Sequence, residues 1–279
     1  MKARTPAVHV YDTNTGRWLP PAVEEPFLKG FPPGAGLSGH SVVPLVTQGN
    51  TPAALVIGRE GSLRMQRRHG NAYILRGHFE RRKDKARGDL DSSQSYFTYS
   101  ELPSVTQSRS HHTTTPMSKH LAVTFGGRST GLVETMTLPE DTSLDCKSFR
   151  CKAVAQFLQH FTPTENTSIL EAKANQIGLR GHYAVSGGDA ILIGGGESFD
   201  ALKRNPNSDA FIYKLNSKNP LHFVGDLAEK RCYAVCTVNP TDGTAWLHGG
   251  LGRSRKPLRS MARLVFSADP RNQETIQDD

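Results

Sequence analysis

Histidine residues are the first candidates for chemistry in this chain, because histidine can bind metal ions and transfer protons. His111 and His112 are adjacent, and His40 and His182 each follow a glycine in similar local sequences. Neighbouring residues of a β-strand point to opposite faces, so His111 and His112 cannot both bind one metal ion without distortion. We predict no metal site, and we interpret these histidines as hydrogen-bonding residues near the centre of the fold.

Cysteine is the second candidate for metal binding. Cys232 and Cys236 are four residues apart and share one face of a predicted strand. Structural zinc needs about four ligands in a tetrahedral set, and neither cysteine belongs to a C-x-x-C pair with a second pair nearby. With Cys146 and Cys151 they make four cysteines in 279 residues, too few for a disulfide scaffold. We interpret all four as small apolar residues.

Glycine and aspartate motifs also fail to define a catalytic site. Gly194-Gly195-Gly196 is similar to a dinucleotide-binding loop, but the G-x-G-x-x-G pattern fails at Phe199 and no parallel-sheet unit follows. The segment 240–246 is weakly similar to a sialidase Asp-box, except that Asp242 and Gly243 are adjacent. We interpret both segments as turns and predict no catalytic residue and no cofactor. An enzyme stays an alternative.

Basic residues favour a function in recognition. The chain has 34 Lys plus Arg against 26 Asp plus Glu, a net charge of +8 that favours acidic partners. Arginine can form bidentate pairs with carboxylate and phosphate. Nucleic acid is disfavoured, because aromatic residues do not interleave with these arginines. The predicted partner-binding residues, all in loops expected on one rim, are Arg59, Arg64, Arg67, Arg68, Arg128, Arg253, Arg255 and Lys256. The loop of another blade, with Lys203 and Arg204, and Arg259 of the last loop are expected on the same rim.

Four segments of the chain repeat one another. Each contains a strand, a tight turn and an apolar strand that ends in glycine, and the anchor residues His40, His112, His182 and Cys232 are separated by 72, 70 and 50 residues. A period near 50 predicts a propeller, in which each unit is a four-stranded blade that stacks on its neighbours. Glycine lets blades pack closely. The first of the four segments has Gly58-Arg59 where the others have a glycine pair. The predicted structural glycines are Gly126, Gly127, Gly194, Gly195, Gly249 and Gly250.

These repeats predict an all-β propeller of about four blades plus an N-terminal half blade. A helix is predicted at about 147–161, because Val154, Phe157, Leu158 and Phe161 lie on one helix face. No convincing fourth strand follows the last unit, so the ring is expected to be open or irregular where residues 7–20 approach residues 244–266. The predicted segments are the half blade 1–20, with third and fourth strands only, and the blades 21–104 with a charged insertion at 77–94, 105–175, 176–226 and 227–279.

The glycine pairs, with Tyr73, Tyr213 and the Tyr11 to Trp18 pairing, resemble the kelch repeat. More narrowly, the segment 58–76 is similar to the kelch domain-containing protein 9 family. The order of elements is similar too: a helical insertion comes first, then Gly178-Leu179-Arg180-Gly181-His182, then a glycine-rich strand. The resemblance implies about six blades, a role as an interaction scaffold and an association with an A-type cyclin. The chain differs in lacking about one and a half blades at its N terminus, and the second blade has Gly58-Arg59 in place of a double glycine.

The location and function follow from these patterns. No run approaches the roughly 18 apolar residues of a membrane helix, and residues 1–6 lack the apolar core of a signal peptide. We expect a cytoplasmic protein, with the nucleus as a second location and no membrane association. The predicted function is a non-catalytic scaffold that binds a protein partner with an acidic surface or peptide, with an A-type cyclin implied by the resemblance. A substrate-recognition subunit of a ubiquitin ligase and a propeller enzyme are the alternatives.

Overall fold

The structure is a computed structural model, in which twenty β-strands and one short 3₁₀ turn are present within the residues described. The chain divides into two compact units, residues 1–110 with 136–151 and residues 111–135 with 152–279. The described residues are 7–23, 25–30, 37–45, 51–60, 71–79, 95–103, 109–127, 130–138, 149–156, 179–187, 189–200, 203–218, 220–239 and 241–264.

The first unit contains a short hairpin and a five-stranded sheet. The sheet has the order β3-β7-β6-β5-β4, with β3 parallel to β7 and the other pairs antiparallel. Its two central strands carry runs of β-branched, aliphatic and aromatic residues, which favour strands, and Leu55, Ile57, Tyr73 and Ile74 are buried. The strands are β1 (Tyr11–Asp12), β2 (Arg17–Trp18), β3 (Leu28–Lys29), β4 (Leu37–Leu45), β5 (Ala53–Glu60), β6 (Asn71–His78) and β7 (Tyr96–Glu101).

A four-stranded sheet follows, in the order β11-β10-β9-β8. Its strands are β8 (Thr113–Ser118), β9 (Leu121–Phe125), β10 (Leu132–Thr137) and β11 (Arg150–Gln156). The helix predicted at about 147–161 is therefore wrong over residues 150–156, and residues 147–148 and 157–161 lie outside the described residues. Pairing with the edge of β10 outweighs a weak helical periodicity, and Val154 packs against the apolar core as a strand residue.

The next sheet belongs to the second unit and has four antiparallel strands in the order β12-β13-β16-β17. The hairpin β14–β15 is inserted between its second and third strands. The apolar alternation of these strands places Ile191, Ile193, Phe211 and Tyr213 in the core. The strands are β12 (Tyr183–Gly187), β13 (Ala190–Gly194), β14 (Glu197–Asp200), β15 (Lys203–Pro206), β16 (Asp209–Lys214) and β17 (Leu221–Asp226).

The last sheet has three strands: β18 (Val235–Val238), β19 (Ala245–His248) and β20 (Met261–Leu264). Ala245 and Leu247 pack against Tyr183 and Val185 of the preceding sheet. In the described part of the chain, β1 and β2 pair only with each other, and nothing further pairs with β20. The predicted all-β, four-blade arrangement is confirmed, and within the described residues no strand pairing closes the ring of sheets.

The charged insertion predicted at 77–94 begins inside a strand. β6 continues through His78, whose ring stacks on Tyr96 of β7 with 4.4 Å between the centroids. Gly77 is paired with Phe97 in the same ladder. Residues 80–94 lie outside the described residues.

Glycine pairs at the ends of second strands let neighbouring sheets of the second unit meet at their backbones. Gly126 and Gly195 both have left-handed backbone angles, with φ of 55° and 63°. A Cβ atom there would lie 2.6 Å from the carbonyl oxygen of Leu179 and 2.5 Å from that of Arg231, respectively. The following amides, those of Gly127 and Gly196, donate to these same two carbonyls. Only glycine fits this contact.

The start of each sheet in the second unit is marked by a left-handed residue. His111, Gly181 and Tyr233 have φ of 58°, 62° and 58°. The Gly181 amide donates to the His111 carbonyl, and the Tyr233 amide donates to the Gly181 carbonyl. These three positions are equivalent, so the alignment of Cys232 with His182 is wrong by two residues. Tyrosine gives no sequence signal for a left-handed backbone, which explains the error.

Candidate functional site

A buried carboxylate with two arginines around it is the main polar cluster of the second unit. Glu197 follows the glycine triplet at the start of β14, and its side chain has no solvent exposure. Its Oε1 lies 2.6 Å from Arg180 Nη2, and its Oε2 accepts a hydrogen bond of 2.7 Å from Arg255 Nη1. The Tyr233 hydroxyl donates to Oε1 at 2.9 Å. We call Arg180, Glu197, Tyr233 and Arg255 the Glu197 cluster.

Local backbone structure positions the members of this cluster. Arg180 and Glu197 form an isolated antiparallel bridge, in which each amide donates to the other's carbonyl. The left-handed backbone of Tyr233 turns its ring over Gly181, where an added Cβ would lie 2.6 Å from the ring. The ring also meets His111 edge to face at 5.6 Å. The tyrosine hydroxyl is therefore held in place by packing.

The protonation states of the cluster follow from burial and charge. Burial alone would raise the pKa of Glu197, but the Tyr233 hydrogen bond and the charges of Arg180 and Arg255 outweigh it, so this pKa is lowered. Burial, with the hydrogen bond to Glu197, raises the pKa of Tyr233 to about 12. Burial and the negative charge of Glu197 raise the pKa of Cys232 to about 11. At neutral pH the carboxylate is ionised, and the phenol and thiol are neutral.

The loop between β19 and β20 reaches this cluster through Arg255. Its 3₁₀ turn at Arg253–Arg255 contains two successive left-handed residues, since Ser254 and Arg255 both have φ of 57°. Such angles are unfavourable for residues other than glycine. Backbone hydrogen bonds from Gly252 to the Lys256 carbonyl and from Arg255 to the Gly252 carbonyl close the turn. The ion pair between Arg255 and Glu197, which lies outside the turn, also holds the turn in place.

The same loop presents positive charge to solvent. Arg253, Lys256 and Arg259 are exposed, and within the described residues their side chains make no ion pair or hydrogen bond. Arg255 is partly neutralised by Glu197, yet 41% of its side chain remains exposed. We call Arg253, Arg255, Lys256 and Arg259 the basic loop. Of its four cations only Arg255 is paired with a carboxylate within the described residues, so the loop has an excess of positive charge.

The structure brings together only part of the predicted basic rim. Arg253, Arg255 and Lys256 share one turn. Arg59 is paired with Ser38 in the β4–β5 ladder, and its side chain is not described. Arg64, Arg67, Arg68 and Arg128 lie outside the described residues, so their place on the rim stays a prediction.

Sequence reasoning missed the acidic member of the site. Arg180 and Tyr233 lie in the repeated segments, but neither they nor Glu197 are among the predicted site residues. The available signal was the glutamate that directly follows Gly194-Gly195-Gly196, because a carboxylate next to a blade-packing glycine lies near the buried centre. That signal becomes specific only when Arg255, 58 residues away, is placed beside it.

Histidine and metal candidates have a plain structural account. His182 is buried, and its Nε2 lies 2.8 Å from the Thr113 hydroxyl, a hydrogen bond between neighbouring sheets of the second unit. His112 is also buried. Among the described residues, no group of three or more His, Cys, Asp or Glu side chains could hold a metal ion. In the same residues no helix is long and apolar enough to cross a membrane.

The fold defines this protein as a member of the β-propeller class, with a basic loop beside a buried ion-pair cluster. No model of a protein family matches the chain, and no curated protein matches it. Among solved structures, the structure of YjhT is similar, with a TM-score of 0.59 and 13% sequence identity over 94% of this chain and 74% of that one. At this identity the similarity shows the fold alone.

Proposed function

We propose that this protein is a non-catalytic scaffold that binds an acidic protein partner through the basic loop. The single observation that carries the proposal is the exposed set of cations at Arg253–Arg259, on a turn that backbone hydrogen bonds and the Arg255–Glu197 ion pair hold in place. The resemblance of the repeats to kelch repeats, and of the chain to the kelch domain-containing protein 9 family, favours an interaction role and makes an A-type cyclin the first partner to test. We place this activity in the cytoplasm or nucleus, with recognition for a ubiquitin ligase as an alternative use of the same surface.

Rigidity makes the basic loop suitable for recognition. A loop that is already held in its bound conformation loses little entropy when a partner binds. Ser254 and Arg255 are fixed in left-handed angles by the turn hydrogen bonds and the Glu197 contact. Part of the Arg255 side chain stays exposed, in the same turn as Arg253. Planar guanidinium groups in such a position favour carboxylate pairs.

The Glu197 cluster supports binding better than acid–base chemistry. A general base must be accessible to its substrate, and a general acid needs a pKa near the working pH. Glu197 has no solvent exposure, and its pKa is lowered by Tyr233 and the two arginines despite its burial. Its oxygens are already bonded within the protein. We therefore assign Glu197 to positioning Arg255.

The test is a charge-reversal variant of the basic loop. The triple variant Arg253→Glu, Lys256→Glu and Arg259→Glu leaves Arg255 and the Glu197 cluster intact. We expect the Kd for an acidic peptide, and for an A-type cyclin, to rise roughly tenfold or more at low salt. The difference from wild type should shrink as salt is added, because exposed charges are screened. Fluorescence anisotropy with a labelled peptide measures both effects.

A matched control has the same change in net charge elsewhere on the second unit. Lys214, Lys218 and Lys230 are exposed, and within the described residues their side chains make no ion pair. Replacing all three with glutamate should leave the Kd within about twofold of wild type. An equal loss in both triple variants would show a nonspecific effect of net charge and would overturn the proposal. Unchanged binding by the loop variant would overturn it as well.

A further inference from the structure

Within the described residues, the last sheet of the second unit has three strands, one fewer than the sheet before it. The preceding sheet ends in β17, its fourth strand, whereas the last sheet ends in β20, its third. Beyond the ladder with β19, Met261–Leu264 make no backbone hydrogen bond within the described part of the chain. A row of backbone donors and acceptors of this kind can pair with an added strand.

The register shows which groups of β20 point outward. The Gly249 amide donates to the Ser260 carbonyl at 3.1 Å, so Ser260 faces β19. Because backbone groups alternate in direction along an antiparallel strand, Ala262 and Leu264 also face β19. The amides and carbonyls of Met261 and Arg263 therefore point to the open side.

The side chains of β20 divide between the two faces of the sheet. Leu264 is buried with Leu247 in the apolar cluster, and Ala262 packs against the same cluster. On the opposite face, Met261 is 52% exposed and Arg263 is exposed. Trp246, which is paired with Arg263, is 40% exposed on that face. An added strand would continue a buried apolar surface on one side and, on the other, an exposed surface that combines Met261 and Trp246 with the cation of Arg263.

We infer that an acidic partner binds by adding an extended strand to the open edge of β20. The strand alternates apolar residues, which lie beside Ala262 and Leu264, with acidic residues, which lie on the face of Arg263. The basic loop leads directly into this strand through Arg259, so the same acidic segment contacts both. This inference rests on the proposed function and adds to it the conformation and residue pattern of the partner.

The experiment uses a ten-residue peptide of alternating valine and glutamate, and the full chain. Two variants remove the charge of Arg263 equally, but only one removes its outward amide: Arg263→Gln and Arg263→Pro. Proline is tolerated on an edge strand where its nitrogen faces away from the ladder. We expect Arg263→Pro to bind the peptide at least about tenfold more weakly than Arg263→Gln. A peptide of alternating valine and lysine should bind neither.

Amide hydrogen exchange on the wild-type chain tests the same inference without a substitution. The inference can therefore be tested even if the proline variant fails to fold. The amides of Met261 and Arg263 should exchange quickly in the isolated protein and become protected when the valine–glutamate peptide is added. The amides of Ala262 and Leu264, which already face β19, serve as the internal control. If Met261 and Arg263 are protected before the peptide is added, the edge is already occupied and the inference is wrong.

The outcomes separate this inference from the proposed function. If Arg263→Pro and Arg263→Gln bind the peptide equally and the basic-loop triple variant loses binding, strand addition is rejected. The basic loop is then retained as the binding site. If Arg263→Pro loses peptide binding and the basic-loop triple variant binds normally, recognition by the basic loop is rejected. The edge of β20 then remains as the binding element. Peptide binding with no protection at Met261 and Arg263 would reject strand addition directly.

Discussion

Glu197 shows how one residue can connect several segments that are far apart in sequence. Its carboxylate contacts Arg180, Tyr233 and Arg255, which come from three different segments of the second unit. A buried carboxylate loses its hydration, so it is stable only when hydrogen bonds and opposite charges replace the water. Here two cations and one hydroxyl do so. Removing the carboxylate would leave Arg180, whose side chain is 8% exposed, without its counter-charge.

Replacement of this carboxylate should therefore cost more than an ordinary surface change. We expect Glu197→Gln to lower the free energy of unfolding by about 3 kcal/mol, the range found when one partner of a buried ion pair is removed. Glu101→Gln is the matched control, because Glu101 is exposed and makes no ion pair within the described residues, and its effect should stay within about 0.5 kcal/mol. Urea unfolding measures both variants. Equal values for the two would contradict the role of the cluster.

The pH dependence of the free energy of unfolding should also show the contribution of Glu197. The pKa of Glu197 is lower in the folded protein than the unfolded value of about 4.3, because Tyr233 and the two arginines outweigh burial. A lowered pKa contributes stability that is fully present above the unfolded pKa and is lost as pH falls through the folded one. We expect the wild-type free energy of unfolding to fall below about pH 4 more steeply than that of Glu197→Gln. Parallel curves would contradict this.

At the scale of elements, the turns between strands decide how closely neighbouring sheets approach. Gly195 illustrates this, since it combines a left-handed angle with a contact to the Arg231 carbonyl. Gly243 has a similar angle, φ of 71°, but nothing lies within 4 Å of the place where its Cβ would be. The two glycines therefore separate the cost of the backbone angle from the cost of the close contact.

Alanine at these two positions gives a matched comparison. Gly243→Ala should lower the free energy of unfolding by about 1 kcal/mol, the cost of a left-handed angle alone. Gly195→Ala should cost at least about 2 kcal/mol more, because its Cβ would clash with backbone that cannot easily move. Thermal or urea unfolding of both variants provides the measurement. Similar losses would mean that the sheets adjust to the methyl group and that close packing is not required there.

Sequence patterns predict elements well where each element carries its own signal. Apolar strands such as Leu121–Phe125 and Ala190–Gly194, each ending at glycine, mark the blades directly. The segment 150–156 has no such signal, because the spacing of Val154 with later residues also fits a helix and only the open edge of β10 makes it a strand. Interactions with a distant partner strand are invisible to a local pattern.

Over the whole molecule, the same reasoning explains which part of the site could be predicted. The excess of basic residues around Arg253–Lys256 is visible in the sequence, and the structure keeps these residues in one exposed loop. The buried acid that anchors the loop is not visible, since Glu197 becomes its partner only through the stacking of sheets. Residues that bind each other across blades have no fixed spacing along the chain.

The exposure of Trp246 has a consequence for spectroscopy. Trp18 and Trp246 are the two tryptophans of the chain, and both are exposed, so their fluorescence emission should already resemble that of indole in water. Unfolding should shift this emission little, which makes it a poor signal of denaturation. Trp246 lies across from Arg263, however, and a strand docked at β20 would shield it. A Trp18→Phe variant would then contain one tryptophan, whose fluorescence emission should shift to shorter wavelength when a strand occupies the edge of β20.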